Sequence, residues 1–415
     1  NMKKVYIETM GCQMNKSDAE RMYGMLEHLG YSQTDEPKEA DMLIINTCSI
    51  RQLSEDKAYS AIGVWGKWKK KNPDLKIIFS GCVAQQAGKD LFKRAPYVDL
   101  VLGTQRVYEL PTLIKRIENG ERIVSVDEKP FEESEIQVNR VKSVNAWIPI
   151  MEGCNNFCTY CIVPYTRGRE RSRKPELILS EIKKALSEGF KEITLLGQNV
   201  DSYGKGLEGD WNLSKLLREV NALEGNFRIR FVTSYPTDIT EELIDTVIEL
   251  DKVCEYFHIP MQSGDDYVLK KMNRRYDYAT YKKICENIRK RIPDVTITSD
   301  FIAGFPGETD EDFNITKENI KKIKFTELHV FPYSKREGTP AAIMKNQIDG
   351  NIKKQRVKEL IEVSEELKNE IEQAVLNQGE ELMQQTIPSY EPHRIIEDYL
   401  NEENHLAVIS VDGGN

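Results

Sequence analysis

The chain has 415 residues, 40% of them hydrophobic and 30% charged, with a formal net charge of −9. That length accommodates two or three domains with buried cores. No run of eighteen apolar residues and no signal-peptide pattern occurs, so we expect a cytoplasmic protein without a membrane segment. The acidic balance argues against indiscriminate nucleic-acid binding but leaves room for a local basic site. Eight cysteines in so long a chain favour metal binding over a disulfide scaffold.

The N-terminal 125 residues alternate short apolar segments with helical patterns. Residues 4–9 (KVYIET), 42–46 (MLIIN), 76–80 (KIIFS) and 99–102 (DLVL) have the composition of strands. Short strands separated by helices are typical of an open parallel sheet. We therefore predict an α/β domain over residues 1–125, followed by a charged linker over residues 126–145.

Cys12, Cys48 and Cys82 each follow the end of one of these strands, and successive cysteines are 36 and 34 positions apart. In a parallel sheet the carboxyl ends of the strands lie along one edge, where ligands usually bind. Three thiols at that edge can meet at one point. Two alternatives remain at this stage: three small buried side chains, or a zinc site that lacks an evident fourth ligand.

Residues 146–350 resume the alternation with six further strand-like segments, at 147–151, 192–196, 228–233, 256–259, 295–302 and 327–331. Repeated strand–helix units without hairpin signals predict a curved, partial parallel (βα)6 barrel. The loops that follow these strands are rich in Gly, Gln, Asn and Ser, which suits a ligand site. Residues 351–376 predict a long amphipathic helix.

Cys154, Cys158 and Cys161 form a CxxxCxxC pattern directly after the first barrel strand. A closed zinc site needs four N or S ligands, and the next histidine is His258. A cubane iron–sulfur cluster bound by three thiolates would keep one iron open for another ligand. The spacing therefore favours an iron–sulfur cluster.

The motif CTYCIVPYTRG, in which Tyr160 precedes the third cysteine, resembles the methylthiotransferase family of radical S-adenosylmethionine enzymes. The segments GCQMN (11–15), NTCSIR (46–51) and SGCVAQ (80–85) resemble that family's N-terminal domain. The resemblance implies two [4Fe-4S] clusters with three cysteines each, Cys12/Cys48/Cys82 and Cys154/Cys158/Cys161, and S-adenosylmethionine as a cofactor. It covers about residues 2–376.

Four further segments match the family: LLGQN (195–199), HIPMQSG (258–264), SDFIAGFPGET (299–309) and GTPAA (338–342). By that likeness the residues expected to hold S-adenosylmethionine are Gln198, Ser234, Gln262 and Asp300. We expect His258 to be a hydrogen-bonded residue at a strand end, and Cys254 and Cys285 to be core thiols.

The closest likeness is to the members that act on tRNA. It implies radical methylthiolation of carbon 2 of N6-isopentenyladenosine at position 37, beside the anticodon. The implied partners are the anticodon stem-loop of tRNA and an electron donor such as flavodoxin or ferredoxin, and the protein would be a monomer. Phosphate contacts would come from Arg167, Arg169, Arg171 and Arg173.

Three alternatives stay open. The same chemistry could serve another substrate, either threonylcarbamoyladenosine in tRNA or a ribosomal protein. A non-catalytic iron–sulfur protein that binds RNA is a second reading, and a zinc-binding structural protein is a third. The family normally ends in a β-barrel TRAM module, but residues 377–415 are short, acidic and poor in strand alternation, so we expect a degenerate or truncated module there.

Overall fold

The computed structural model describes residues 2–49, 52–128 and 138–386 of the chain. Its N-terminal part is a six-stranded parallel sheet with the order β2-β1-β3-β4-β5-β6. The strands are β1 (Lys3–Met10), β2 (Tyr31–Gln33), β3 (Met42–Thr47), β4 (Lys76–Gly81), β5 (Leu100–Leu102) and β6 (Ile123–Ser125). The helices are α1 (Gln13–His28), α2 (Gln52–Lys71), α3 (Cys82–Ala87), α4 (Leu91–Arg94) and α5 (Leu110–Glu118).

Helices cover both faces of this sheet. On one face, Met22 and Leu26 of α1 pack in a core with Ile114 of α5. On the other face, Ile62 and Trp65 of α2 pack in a second core. All six residues of β3 are buried, as expected for a central parallel strand whose two faces are both covered.

The second part is a curved parallel sheet whose six parallel strands follow one another in chain order. Two three-stranded sheets, β11-β10-β7 and β12-β13-β14, are connected by a parallel bridge between Ile229 and Val253. The strands are β7 (Asn145–Pro149), β8 (Met151–Glu152), β9 (Arg171–Ser172), β10 (Glu192–Leu196), β11 (Arg228–Phe231), β12 (Tyr256–His258), β13 (Thr296–Ala303) and β14 (Glu327–Pro332). The predicted α/β class, with an open sheet followed by a partial barrel, is confirmed.

Most helices of this second part pack against these strands, and the first of them contacts α3 of the N-terminal part. They are α6 (Val163–Thr166), α7 (Pro175–Ser187), α8 (Leu213–Asn221), α9 (Glu241–Glu249), α10 (Asp266–Lys271), α11 (Tyr278–Arg291), α12 (Asp310–Ile323) and α13 (Gly350–Thr386). The short antiparallel pair β8–β9 flanks the CxxxCxxC loop.

The long helix α13 closes the barrel beside β14. Leu360, Val363 and Leu367 on one stripe of α13 are buried in the barrel core, and the backbone N–H of Leu328 donates to Ser364 Oγ (3.1 Å). The helix continues ten residues past the predicted end, to Thr386. Residues 377–386 of the TRAM-like tail predicted for 377–415 are therefore helical, and residues 387–415 lie outside the described residues.

The sequence pattern missed two edge strands, β2 and β6. Each has three residues; β2 (YSQ) is mostly polar, and β6 (IVS) is directly followed by the charged linker, so neither stands out as an apolar segment. Of the predicted linker, the described residues 126–128 and 138–144 contain neither helix nor strand. None of the helices in the described residues is long and apolar enough to span a membrane.

Candidate active site: two cysteine groups at the domain junction

The N-terminal cysteine group, which we define as Cys12, Cys48 and Cys82, lies at the carboxyl edge of the N-terminal sheet. Cys12 is the N-cap of α1, Cys48 directly follows β3, and Cys82 begins α3 directly after β4. The side chains of Cys12 and Cys48 are hydrogen-bonded to each other, and the thiols of Cys12 and Cys82 interact electrostatically. The fold therefore brings together the three thiols that the strand positions predicted.

The backbone next to these thiols requires glycine. Gly11 has φ +138°, and a Cβ there would lie 2.2 Å from the Cβ of Cys48. Gly81 has φ +94°, and a Cβ there would lie 2.3 Å from the carbonyl oxygen of Thr47. Glycine permits both the positive φ and the close approach of neighbouring strands, which is what packs the cysteines together.

Arg167, a residue of the barrel domain, lies beside these thiols. The hydrogen bond with Cys48 and the charge of Arg167, acting against burial, lower the pKa of the Cys12 thiol to about 6. Burial raises the pKa of Cys82, and Arg167 again opposes the shift. Because the thiolate is the form that binds metal, this arrangement is suited to metal binding.

The barrel cysteine group, which we define as Cys154, Cys158 and Cys161, lies in one loop after β8. Cys154 and Cys158 are buried, and burial, followed by the charge of Cys158, raises the pKa of Cys161 to about 12. A nearby cation favours the thiolate here as well, because Arg274 Nη1 donates to Cys158 Sγ (3.3 Å). Arg274 also donates through Nη2 to the carbonyl oxygen of Pro260 (2.7 Å), which fixes the guanidinium.

The segment after α10 holds this loop in place. The backbone N–H of Thr159 donates to the Met272 carbonyl (3.0 Å), and Asn273 Nδ2 donates to the Phe157 carbonyl (3.0 Å). Arg275 Nη2 donates to Asn156 Oδ1 (2.6 Å). Each of these bonds joins the loop to residues more than a hundred positions away, so the barrel fold determines the shape of the loop.

The number of thiols in each group fits an iron–sulfur cluster better than a closed zinc site. A closed zinc site needs four N or S ligands. Among the described residues, only His258, Asp300 and His329 form a set of three possible ligand atoms that all lie within 4.8 Å of one another, so neither cysteine group is closed tightly around a single ion. Three thiolates suit a cubane cluster in which one iron stays open for another ligand.

A buried ion pair of Arg167 lies where the surroundings of the two cysteine groups are connected. The Arg167 guanidinium is bonded to Asp18 of α1 (Nη2–Oδ2, 2.9 Å) and lies 3.8 Å from Glu152 of β8. The next residue, Gly168, accepts a hydrogen bond from the backbone N–H of Cys154 (3.2 Å). Two adjacent residues, Arg167 and Gly168, therefore connect the surroundings of both groups.

More buried charges stabilise the same junction. Arg21 of α1 is paired with Glu181 of α7 (3.4 Å), and Arg173 and Arg140 are paired with the same carboxylate. Burial opposes ionisation of Glu181, but the three guanidinium groups lower its pKa to about 2. Such a network is costly to disrupt, because it would leave buried charges without partners.

The structure separates the four arginines for which phosphate contacts were predicted. Arg167 and Arg173 are buried in the ion pairs just described, so their guanidinium groups do not face phosphate. Arg171 is half-buried and donates to Gln105 Oε1 (3.1 Å). Arg169 is exposed, with its guanidinium 4.3 Å from the centre of the Phe157 ring.

The residues predicted to bind S-adenosylmethionine lie at the carboxyl ends of successive barrel strands. Gln198 Oε1 accepts from the backbone N–H of Gly153 (2.7 Å), beside Cys154. Ser234 is buried, and its hydroxyl donates to Asp201 Oδ1 (3.1 Å). Gln262 has φ +75° and donates its backbone N–H to the Asp300 carbonyl (2.8 Å). The Asp300 carboxylate lies between His258 and His329.

The backbone is conformationally strained at one of these residues and next to another. Thr233, directly before Ser234, has φ +74°, and Gln262 has φ +75°. Non-glycine residues at positive φ cost free energy and are concentrated at functional sites. The strain supports a binding role for the ends of β11 and β12.

Sequence reasoning missed Arg274, Glu152 and Asp201. Arg274 belongs to a basic run that has the pattern of an exposed charged face. Glu152 lies two residues before Cys154, the first cysteine of the motif, and Asp201 immediately follows LLGQNV. Proximity to those motifs was the available signal that Glu152 and Asp201 belong to the site. The residues with which Glu152 and Asp201 interact are distant in sequence, so the interactions could not be predicted. The prediction of core thiols is confirmed for Cys285, which is buried in the barrel core, and is wrong for Cys254, which is half-buried beside Arg230.

Comparisons with known proteins agree with this site. The model of the radical SAM superfamily matches residues 148–320, and that of an uncharacterised protein family, UPF0004, matches residues 4–103. The structure of the radical S-adenosylmethionine methyltransferase TsrM from Kitasatospora setae, with cobalamin and a [4Fe-4S] cluster bound, has a TM-score of 0.60. It is 13% identical, with 83% of this chain and 77% of TsrM covered; this likeness shows the fold alone.

Curated relatives are far more similar in sequence. A tRNA-2-methylthio-N(6)-dimethylallyladenosine synthase from Clostridium beijerinckii is 48% identical over 87% of this chain and 80% of its own length. Its counterpart from Carboxydothermus hydrogenoformans is 46% identical, with 91% and 86% covered. The chain belongs to the tRNA-2-methylthio-N(6)-dimethylallyladenosine synthase family of radical S-adenosylmethionine enzymes.

Proposed function

We propose that this protein transfers a methylthio group to carbon 2 of N6-isopentenyladenosine at position 37 of tRNA. The observation that carries the proposal is that the surroundings of two separate three-cysteine groups share one short segment: Arg167 lies beside Cys12 and Cys82, and the next residue, Gly168, accepts from the backbone N–H of Cys154. One group suits cleavage of S-adenosylmethionine and the other suits sulfur supply. The names of the curated relatives support the same substrate.

The family uses [4Fe-4S] clusters and S-adenosylmethionine. We assign one cluster to Cys154, Cys158 and Cys161, and the other to Cys12, Cys48 and Cys82. When bound, these groups supply one-electron chemistry, which a C–H bond that is neither acidic nor electrophilic requires. The protein contributes three thiolates to each cluster, the cations Arg274 and Arg167 beside those thiolates, and a buried junction.

For S-adenosylmethionine, the proposal keeps Gln198, Ser234 and Gln262. All three follow barrel strands, where ligands of parallel barrels bind. Gln198 is bonded to the backbone next to Cys154, and Asp201 orients Ser234. The Asp300 carboxylate has two imidazole neighbours, so we leave it out of this set.

Phosphate recognition is assigned to Arg169 and Arg171 alone. Arg169 is exposed on the loop that follows the barrel cysteine group, beside the aromatic ring of Phe157. A guanidinium and an aromatic ring on one surface suit single-stranded RNA, which is recognised through phosphates and unstacked bases. The remaining partners in the proposal are the anticodon stem-loop, a flavodoxin or ferredoxin as electron donor, and a monomeric enzyme in the cytoplasm.

The test is an anaerobic assay with reconstituted protein, S-adenosylmethionine, a reductant and isopentenylated tRNA, read by mass spectrometry of the tRNA hydrolysate. We expect a 2-methylthio product from this tRNA, and none from tRNA bearing threonylcarbamoyladenosine or from ribosomal protein S12. A product only from one of those substrates would replace the proposed substrate. The absence of both product and 5′-deoxyadenosine would contradict an enzymatic role.

A further inference from the structure

Two histidines and an aspartate meet inside the barrel, apart from both cysteine groups. His258 is on β12, Asp300 on β13 and His329 on β14, three neighbouring strands. The strand register places Asp300 directly opposite His329. One ligand atom from each side chain lies within 4.8 Å of the other two. We propose that these three residues bind a single divalent transition-metal ion of the Zn²⁺ or Fe²⁺ class.

The distances match the edges of a metal coordination sphere. His258 Nε2 is 3.4 Å and His329 Nδ1 is 3.3 Å from the same oxygen, Asp300 Oδ1. Both distances exceed the usual 2.7–3.2 Å of an N–H···O hydrogen bond. A tetrahedral ion with bonds of about 2.1 Å holds its ligand atoms about 3.4 Å apart. The carboxylate and imidazoles are therefore spaced as co-ligands.

The second nitrogen of His258 has the partner that a metal-binding histidine normally has. His258 Nδ1 is hydrogen-bonded to Thr298 Oγ1 (2.9 Å), and that hydroxyl is in turn bonded to the Tyr256 hydroxyl (2.9 Å). Such outer partners fix the tautomer and the ring orientation of a ligand histidine. Here they present Nε2 to Asp300. The bond to Thr298 agrees with the hydrogen-bonded role expected for His258, and the metal site adds to it.

Exposure and ligand chemistry define the kind of ion. The side chains of Asp300 and His329 are 26% and 34% exposed, whereas that of His258 is 11% exposed, so the site is open on one side. Two imidazoles and one carboxylate with an open position are typical of catalytic zinc and non-haem iron(II) sites. A water molecule would be the fourth ligand.

The location connects this ion to the end of the barrel where S-adenosylmethionine is proposed to bind. The backbone carbonyl of Asp300 accepts the N–H of the strained Gln262, and Ser234 donates its backbone N–H to the His258 carbonyl (3.0 Å). The ion would therefore fix the strand segments to which both residues are bonded. The proposal does not depend on the substrate, so it can fail while the proposed function holds.

The test uses anaerobically reconstituted holoenzyme, in which both cysteine groups are already occupied by clusters. Zn²⁺ is added, the sample is desalted, and zinc and iron are measured together. Zinc X-ray absorption then identifies the ligand atoms. We expect one zinc per chain with nitrogen and oxygen ligands, including imidazole. The half-exposed position of His329 makes His329→Ala a mild change, and His258→Ala is the second variant.

Loss of an outer-shell partner alone typically weakens metal binding by about 10–100-fold, so each ligand variant should weaken zinc affinity by about 100-fold or more. His28→Ala, an exposed histidine of α1, is the control and should retain the zinc. Unchanged iron content in every variant would show that the fold and the clusters are intact. Equal zinc retention by His329→Ala and the unaltered protein, or sulfur ligands at the zinc, would each overturn the proposal. So would the absence of zinc uptake together with no iron beyond that of the two clusters.

Discussion

The N-terminal cysteine group and the barrel cysteine group reach one junction by different routes. Cys12, Cys48 and Cys82 come from three strand ends of a parallel sheet, 36 and 34 positions apart, whereas Cys154, Cys158 and Cys161 lie within eight residues of one loop. The first group depends on the packing of a whole domain. The second is local in sequence, although distant residues fix its loop.

Both groups nevertheless take their neighbouring cation from elsewhere in the chain. Arg167 reaches the N-terminal group from the barrel domain, and Arg274 reaches the barrel group from beyond α10. The comparison suggests that the domain junction controls the first group and that the barrel alone controls the second. The informative substitutions are therefore those that affect one cysteine group through the domain junction and the other through the barrel alone.

The largest expected effect is the loss of product on removing one thiol from either group. Cys48→Ala and Cys158→Ala should each abolish the 2-methylthio product and each remove about four iron atoms. Only Cys158→Ala should also abolish formation of 5′-deoxyadenosine. Mass spectrometry and iron analysis measure all three quantities. Cys285→Ala, in the barrel core, is the control and should keep both clusters. Loss of all iron in Cys48→Ala would show that the two groups are not independent.

The next largest effect is expected at Arg167, which the two domains share. Arg167→Leu leaves the carboxylates of Asp18 and Glu152 buried without their cation, which should lower the free energy of unfolding by about 3–5 kcal/mol. It should also release iron from the N-terminal group first. Anaerobic denaturant unfolding and iron analysis are the measurements.

The matched control for Arg167 is Arg169→Ala on the same loop. Arg169 is exposed and forms no ion pair within the described part of the chain, so its removal should change the free energy of unfolding by less than about 0.5 kcal/mol. Equal destabilisation by the two substitutions would mean that the loop, and not the buried ion pair, holds the domains together.

A smaller and more local effect is expected at Arg274. Arg274→Met removes the donor to Cys158 Sγ, and loss of such an outer partner should weaken cluster retention by about 10–100-fold. Iron release to a chelator should accelerate for the barrel group only, and Arg274→Lys should restore part of the retention through its charge. Faster loss from the N-terminal group instead would refute the separation of the two dependencies.

The sequence predicted the local features best. The CxxxCxxC loop could be recognised from eight residues, and six barrel strands could be placed because each is a short apolar segment followed by a helix. Cys12, Cys48 and Cys82 could be grouped because strand ends of a parallel sheet share an edge. Those inferences need only periodicity and topology.

Pairings between distant side chains could not be predicted in this way. Arg167 and Arg173 lie in the same basic run as Arg169, and a run of charges normally indicates an exposed face. Their partners, Asp18 and Glu181, are specified only once α1 and α7 pack at the junction. The same limit applies to His258, Asp300 and His329, because register across three strands brings them together.

The smallest expected effect on activity at pH 7 is at the supporting carboxyl groups of the two regions, which differ in how they make stability depend on pH. Three arginines lower the pKa of Glu181 at the junction, whereas burial raises the pKa of Asp201 at the barrel mouth to about 8. Folded Asp201 therefore keeps its proton at neutral pH while the unfolded chain loses it near pH 4. The free energy of unfolding should thus fall between pH 4 and 8, by at most ~1.4 kcal/mol per pH unit.

Asp201→Asn mimics the protonated acid: its amide oxygen can accept from the backbone N–H of Tyr235, and its NH₂ group can donate to Ser234. The variant should fold and act normally at pH 7 yet lose this part of the pH dependence, measured by denaturant unfolding at several pH values. Asp210→Asn, an exposed control, should keep it. An unchanged slope in Asp201→Asn would mean that Asp201 is ionised in the folded enzyme, and Ser234 would then be oriented by a charge at the barrel mouth.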